Sequence, residues 1–469
     1  MTSSPNALRQ TIRSFATFTW MTLALAVPQR GTAQSTAPPG SMTFALTGDA
    51  IITRRLSPFG EPEYLRMLEV IRSADLAFTN LEVLFHDFSE GYPATHSGGT
   101  WMAAEPYLAG ELTWAGFDMV SRANNHTMDY SAGGLRATTR ALDAVNLVHA
   151  GAGENLSRAR APAYLETGGG RVALISVAST FSDEDRAGSQ RGDLRGRPGL
   201  SPLRYTTTYH VSRGSLEKLR EVGEEMGFSV SEGDSLRFLR TQFVAADTTG
   251  RRTTPQEGDL ADIVAVVREA RKQADWIIVT SHTHESAESR DVPADFLVRF
   301  ARSVVDAGAD MFVGHGPHVL RGIEIYRGKP IFYSLANFIF QNETVRFLPG
   351  DMYRRYGVPV DAHPGDIQDA RIESSNTGGF PGQRWYWESV IAVPKFDDGQ
   401  LTEIRLFPIT LGFGNPKPQR GRPRLADAEA GQRIIATLKE LSEPFGVSIR
   451  YLPEENVGII AGDRYVGGR

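Results

Sequence analysis

Five short apolar segments each close on an Asp, Glu, Asn or His, and this repeated ending constrains the fold more than any other feature of the chain. Met42–Leu46 runs into Gly48-Asp49, and Asp75–Thr79 into Asn80-Leu81-Glu82. Phe117–Ser121 leads to Ala123-Asn124-Asn125-His126, and Trp276–Thr280 to Ser281-His282-Thr283-His284-Glu285. Met311–Val313 ends in Gly314-His315-Gly316-Pro317-His318. Between them lie stretches of helical periodicity, at Glu61–Ser73, Gly134–Val145, Asp262–Ala274 and Ala294–Ala307. Strand, polar tip and helix in repetition predict a layered α/β fold. In such folds ligands gather beyond the carboxyl ends of the strands, so groups far apart in the chain can meet at one sheet edge.

The residue types at those tips point to metal chemistry. Carboxylates, an amide oxygen and neutral imidazoles suit Mn, Fe(II) or Zn. The chain contains no cysteine, which excludes thiolate-bound zinc, iron–sulfur clusters, disulfides and thiol catalysis. The expected ligands are Asp49, Glu82, Asn125, His282, His315 and His318, holding one or two divalent ions. His126 adjoins Asn125, so the pair is expected to divide the work, Asn125 as ligand and His126 as proton donor or anion binder. Asp129 is placed to orient His126. His284 is a weaker candidate, because it is expected to sit in a loop beyond its strand. Arg54 is a candidate for gripping a substrate carboxylate or phosphate, and Asn80 and Asn337 for binding substrate or bracing ligands. Each position has a plainer reading: a capping Asp, an Asn-rich turn, a buried hydrogen-bonded His. A bound divalent ion lowers the pKa of water toward neutrality, which makes hydrolysis the natural chemistry of such a set.

Hydrophobic residues make up 41% and charged residues 22%, which places the chain among globular proteins rather than disordered ones. Residues 1–33 read as a secretion leader: Arg9 and Arg13 precede the apolar run Phe15–Val27, followed by small residues. An uncleaved membrane anchor is the alternative, and either predicts a periplasmic or extracellular protein. The leader carries three arginines and no acid, so the net charge of −5 becomes −8 without it, and a nucleic-acid partner is not expected. A polar, Pro-containing linker follows at 34–41. Residues 181–260 break the strand–helix rhythm and read as an excursion from the core, with one helix near Ser215–Met226. A long irregular stretch is expected after residue 341. Trp385–Pro394 and Leu401–Leu411 then form a hairpin around Asp397-Asp398-Gly399, with a loop longer than a tight two-residue turn, before a helix over Ala426–Ser442.

Taken in order, several strings resemble the CapA family, the capsule or poly-γ-glutamate biosynthesis proteins of the calcineurin-like metallophosphoesterase superfamily. They are Thr47-Gly48-Asp49 followed by Arg54, Asn80-Leu81-Glu82, Ala123-Asn124-Asn125-His126-Thr127-Met128-Asp129-Tyr130, Gly308-Ala309-Asp310, Gly314-His315-Gly316-Pro317-His318-Val319, and Ile331-Phe332-Tyr333-Ser334-Leu335-Ala336-Asn337-Phe338. The resemblance implies a four-layered α/β/β/α sandwich over residues 42–340, with the excursion inserted and residues 341–469 completing it as a hairpin–helix extension. By the same resemblance Asp49, Glu82, Asn125, His282, His315 and His318 match metal positions, and His126 the catalytic His. The implied function is an exported metal-dependent hydrolase of phosphoesters or amides, linked to capsule or poly-γ-glutamate biosynthesis. Its partners would be an anionic surface polymer or a small exported substrate, with membrane-associated capsule machinery nearby. The alternative is a non-catalytic protein whose metals bind polymer carboxylates. The chain departs from the superfamily pattern in three places. Ile51 stands where Asp-x-His would place a His, His282-Thr283-His284 replaces His-Trp-Gly, and His315 and His318 are three apart, as in the CapA branch. One or two ions remain compatible with this set.

Overall fold

The structure, a computed structural model, describes residues 40–97, 99–374 and 379–462. The leader read over 1–33, and the linker as far as residue 39, lie outside the described residues.

Two sheets stack face to face. In the larger, of ten strands, Met42–Ile51 is central: it pairs in parallel with Leu76–Leu81 and with Asn337–Phe340, and antiparallel with Glu388–Asp397. Leu76–Leu81 continues in parallel to Met119–Ser121. The smaller sheet has six strands. Its parallel centre runs Gly170–Ala178, Trp276–His282, Met311–His315 and Lys329–Phe332.

Side-chain alternation along the strands explains the layering. Phe44, Leu46 and Phe78 of one sheet meet Leu174, Trp276, Ile278, Met311 and Val313 of the other in a single apolar layer. The intervening residues face outward onto helices. Ala45 and Ala77 pack with Met67, Leu68 and Ile71 of the helix Pro62–Arg72. Ile277, Val279 and Phe312 pack with Ile263 and Val267 of Glu257–Arg271 and with Phe296, Phe300 and Val304 of Asp295–Asp306. Strands covered on both faces read as nearly continuous apolar runs, which is why they stand out in the sequence. The four layers implied by the family resemblance are therefore present. Among the described residues no helix is long and apolar enough to cross a membrane.

The excursion holds its own four-stranded sheet, built from Ser235–Phe238, Thr241–Ala245, Tyr205–Val211 and Gly250–Pro255, with the helix Arg213–Glu225 against it. Tyr205 stacks on Phe296 with ring centroids 4.4 Å apart and so ties this sheet to the core.

Two expectations need correction. The stretch after residue 341 is not simply irregular, since it contains the helices Gly350–Tyr356 and Pro364–Glu373. The second starts with Pro364 at its first turn and a box in which His363 and Asp366 cap each other's backbone N–H, a signal that short apolar periodicity does not reveal. The C-terminal hairpin is also tighter than expected. Asp397 pairs with Gln400, leaving only Asp398 and Gly399 in the turn, with φ of 50° and 76°. Two left-handed residues in succession match the twist of the strands, the turn that Asp-Gly favours. The helix Ala428–Ser442 then lays Ile434, Ile435 and Leu438 on the inter-sheet layer.

Candidate metal centre

Parallel pairing aligns the polar strand ends into two facing rows. In the larger sheet Asn337, Asp49, Asn80 and Ser121 are register neighbours, and in the smaller sheet Ala178, His282 and His315 are. The first strand is irregular at this point, its register shifting on both sides of Asp49. Such bulges re-aim a side chain at a sheet rim. Gly48 makes the approach possible, because a Cβ there would lie 1.8 Å from the Ala336 carbonyl oxygen. Gly48→Ala is expected to cost about 1–3 kcal/mol of stability from overpacking and to lower metal content along with it. Denaturant unfolding and elemental analysis of the variant check both.

The seven groups expected to carry the chemistry do converge. Asp49 is fully buried, its Oδ1 accepting from Asn80 Nδ2 at 2.8 Å and its Oδ2 from the Gly316 N–H at 3.0 Å. Nδ1 of both His282 and His315 lies 3.7 Å from Asp49 Oδ1, and His318 Nδ1 lies 3.4 Å from Oδ2. Glu82 Oε1 is 3.6 Å from Nε2 of His282 and of His318, and 3.8 Å from His126 Nε2. Two groups of potential ligands emerge, Asp49 with His282 and His315, and Glu82 with His284 and His318; within each, the donor atoms lie within 4.8 Å of one another.

His284 does lie in the loop past its strand, which ends at His282, and yet it stands with the cluster. The chain past the strand end is pinned: Thr283 N–H donates to His315 O and His284 N–H to Thr180 Oγ1, both at 2.8 Å. That places His284 Nε2 2.9 Å from His282 Nε2. The i,i+2 spacing was the available signal, and the pinning contacts are what spacing alone does not show.

The electrostatics suit a cation. Burial holds His282 and His284 well below the usual imidazole pKa and His315 at about 4, so their lone pairs are free at neutral pH. Burial opposes ionisation of Asp49, but the hydrogen bond and charge of His318 and the charge of His315 outweigh it and keep its pKa low. Burial, and then the Asp49 charge, push Glu82 well above the carboxylate range. Both Glu82 oxygens and Asn125 Oδ1 are buried without a hydrogen-bond partner among the described residues. Orphaned buried acceptors are costly, and a divalent ion between them and the imidazoles removes that cost. The residues present therefore fit a bound divalent cation.

The surrounding groups are braces. Asn337 Oδ1 meets His318 Nδ1 at 2.9 Å, which turns Nε2 toward Glu82. His318 holds a φ of 62° to reach this position. Asn80 is bonded to Asp49 and accepts from Ser121 Oγ at 2.8 Å. Asn80 and Asn337 are thus committed to ligands, not to substrate. Arg54 is also turned away: its guanidinium donates to the carbonyls of Pro418 and Arg420, each at 2.8 Å, and it does not line the cavity beside the cluster. Beside the cluster, His126 Nδ1 meets Asp129 Oδ2 at 2.7 Å, and the same oxygen accepts the Met102 N–H at 2.7 Å.

A cavity of about 220 Å³ opens onto Glu82, Asn125, His126, His284 and His318. Arg290, Arg371 and Asn342 also line it, and none of the three carried a signal in the sequence.

The α/β/β/α sandwich thus gathers buried carboxylates, an Asn and four histidines at its strand ends into two groups that could hold divalent metal ions. The chain belongs to the bacterial capsule synthesis protein family PGA_cap, whose profile matches residues 43–342. It is 37% identical over 433 residues to the uncharacterized protein y4sH of Sinorhizobium fredii (strain NBRC 101917 / NGR234), covering 89% of this chain and 92% of that one. It is 26% identical over 313 residues to the capsule biosynthesis protein CapA of Bacillus anthracis, covering 65% and 61%. A 5'-nucleotidase precursor from Thermus thermophilus overlaps 83% of this chain and 55% of its own, at 12% identity and a TM-score of 0.33.

Proposed function

We propose that this protein is an exported metal-dependent hydrolase that acts on a phosphoester or amide in capsule or poly-γ-glutamate biosynthesis. The observation that carries this reading is the pair of ligand groups, with the partnerless oxygens of Glu82 between histidines, set beside the His126–Asp129 pair. Two divalent cations held there would supply an acidified water and positive charge where negative charge develops. Asp49 and Glu82 offset that charge, and the neutral histidines fix its position. Asp129 holds a proton on His126 Nδ1 or takes up its charge, so Nε2 faces the cavity at the right place to protonate a leaving group. Export, and work beside a membrane-bound capsule assembly on an anionic surface polymer or a small precursor of one, belong to the same reading. They rest on the leader-like sequence and the family.

The test is a metal and substrate screen on the purified full chain. Elemental analysis should find Mn, Fe or Zn at one to two ions per chain. The loaded protein should hydrolyse at least one among phosphomonoesters, phosphodiesters and γ-glutamyl peptides. Metal retained with no turnover on any of them would sink the hydrolase and leave a carboxylate-binding protein.

A further inference from the structure

The cavity over the metal centre carries cationic groups that no described residue neutralises. Arg371, on the helix Pro364–Glu373, donates to Thr100 Oγ1 at 3.1 Å and lies over the Phe380 ring at 5.1 Å. Phe380 in turn packs on His318, ring centroids 4.8 Å apart, so the guanidinium is held one ring away from a ligand. Arg290, in the exposed loop after the strand Trp276–His282, sits over Tyr386 and reaches only the Pro317 carbonyl, at 3.4 Å. Among the described residues neither arginine has a carboxylate within ion-pair distance. Most arginines among the described residues do, as Arg420 with Glu343 and Arg433 with Glu388 illustrate. Burial first, and then the charges of Arg355 and Arg290, lower the pKa of Arg371 against the opposing pull of Tyr356 and Tyr386.

A third group points the same way. Asn342 lines the cavity at 3% exposure, and neither its Oδ1 nor its Nδ2 has a partner among the described residues. A guanidinium fork and an amide donor converging on a metal site form a receptor for an oxyanion, since phosphate and carboxylate both accept paired N–H donors. The cavity is smaller than the ~300 Å³ of ordinary small-molecule sites, so it admits one anionic group with its flanking bond rather than a polymer strand passing through.

We propose that Arg371, Arg290 and Asn342 bind a terminal oxyanion, phosphate or carboxylate, of the substrate. This rests on the hydrolase reading for the word substrate, but the binding site itself does not. Arg371 and Asn342 lie, respectively, outside and at the last residue of the span matched by the family profile.

The experiment is calorimetric titration of the metal-loaded full chain with inorganic phosphate and, separately, with γ-glutamylglutamate. Wild type should bind at least one, and which one it binds distinguishes a phosphoryl from a carboxylate terminus. Arg371→Gln should weaken that binding by at least about tenfold, with Arg371→Lys recovering part of it and metal content unchanged. Arg290→Gln, in an exposed loop, should weaken it with no effect on folding as followed by circular dichroism. The proposal is overturned if wild type binds neither probe, or if both glutamine variants bind as wild type does. Binding lost in Arg371→Gln, with no turnover by wild type on any substrate, would uphold the oxyanion site and remove the hydrolase. Turnover that is the same in wild type and both variants would do the reverse.

Discussion

Glu82→Gln should deprive the protein of metal-dependent stability. In the wild type, cations at a hundred- to a thousandfold excess over Kd are expected to add about 3–4 kcal/mol, and a chelator should take it away. Glu82 belongs to the group of His284 and His318 and also reaches the other group, its Oε1 lying 3.6 Å from Nε2 of both His318 and His282, and its oxygens have no hydrogen-bond partner among the described residues. A glutamine of the same size keeps the shape but offers one neutral oxygen, and its NH2 cannot serve a cation. The variant should therefore melt at nearly the same temperature with and without added Mn or Zn, and should purify with little metal. His284→Ala makes the finer point. It removes one ligand from the group of Glu82 and His318 but none from Asp49, His282 and His315, so elemental analysis should fall by about one ion per chain with the other kept. A wild-type-like thermal shift in Glu82→Gln would show that the carboxylate does not hold the ion, and unchanged stoichiometry in His284→Ala would return the centre to the ligands the family resemblance implies.

Much of this site is legible in the sequence, for a physical reason. A strand buried on both faces must be apolar along its length, so the first polar residue after it marks the sheet rim, and parallel pairing brings such rims together. Asp49, Asn80, His282 and His315 were found in that way. What could not be read was direction. Arg54 follows Asp49 closely in the chain, yet the carbonyls of Pro418 and Arg420 draw its guanidinium away. Asn337 follows the apolar run Ile331–Ser334 and opens its own strand beside Asp49, but its amide is spent on His318 and the Tyr386 carbonyl. Arg371 was invisible because its helix is announced by a cap and not by an apolar stripe, and because only tertiary packing carries it to the cavity. The hairpin around Asp397-Asp398-Gly399 is read from the sequence with too long a loop, because its first strand pairs on past Pro394 to Asp397 and its second begins at Gln400.

His126→Ala should leave the metal in place and lower turnover by about 10²–10⁴-fold, the range for loss of a positioned proton donor. His126 is not in either group of ligands, and its Nε2 lies 3.8 Å from Glu82 Oε1 on the cavity side. The loss should depend on what departs. A nitrophenolate leaves without a proton and should be little affected, whereas an alkoxide or amine leaving group needs one and should bear most of the loss. Asp129→Asn tests the support for this role. Asp129 is fully buried, and its Oδ2 is held between His126 Nδ1 and the Met102 N–H. An amide there holds His126 less firmly and no longer stabilises its charged form, so turnover should fall about 10–100-fold with the same dependence on leaving group. A merely structural Asp129 would lower all substrates alike. Equal losses across good and poor leaving groups in both variants would remove His126 as the acid and leave it only the binding of the anion.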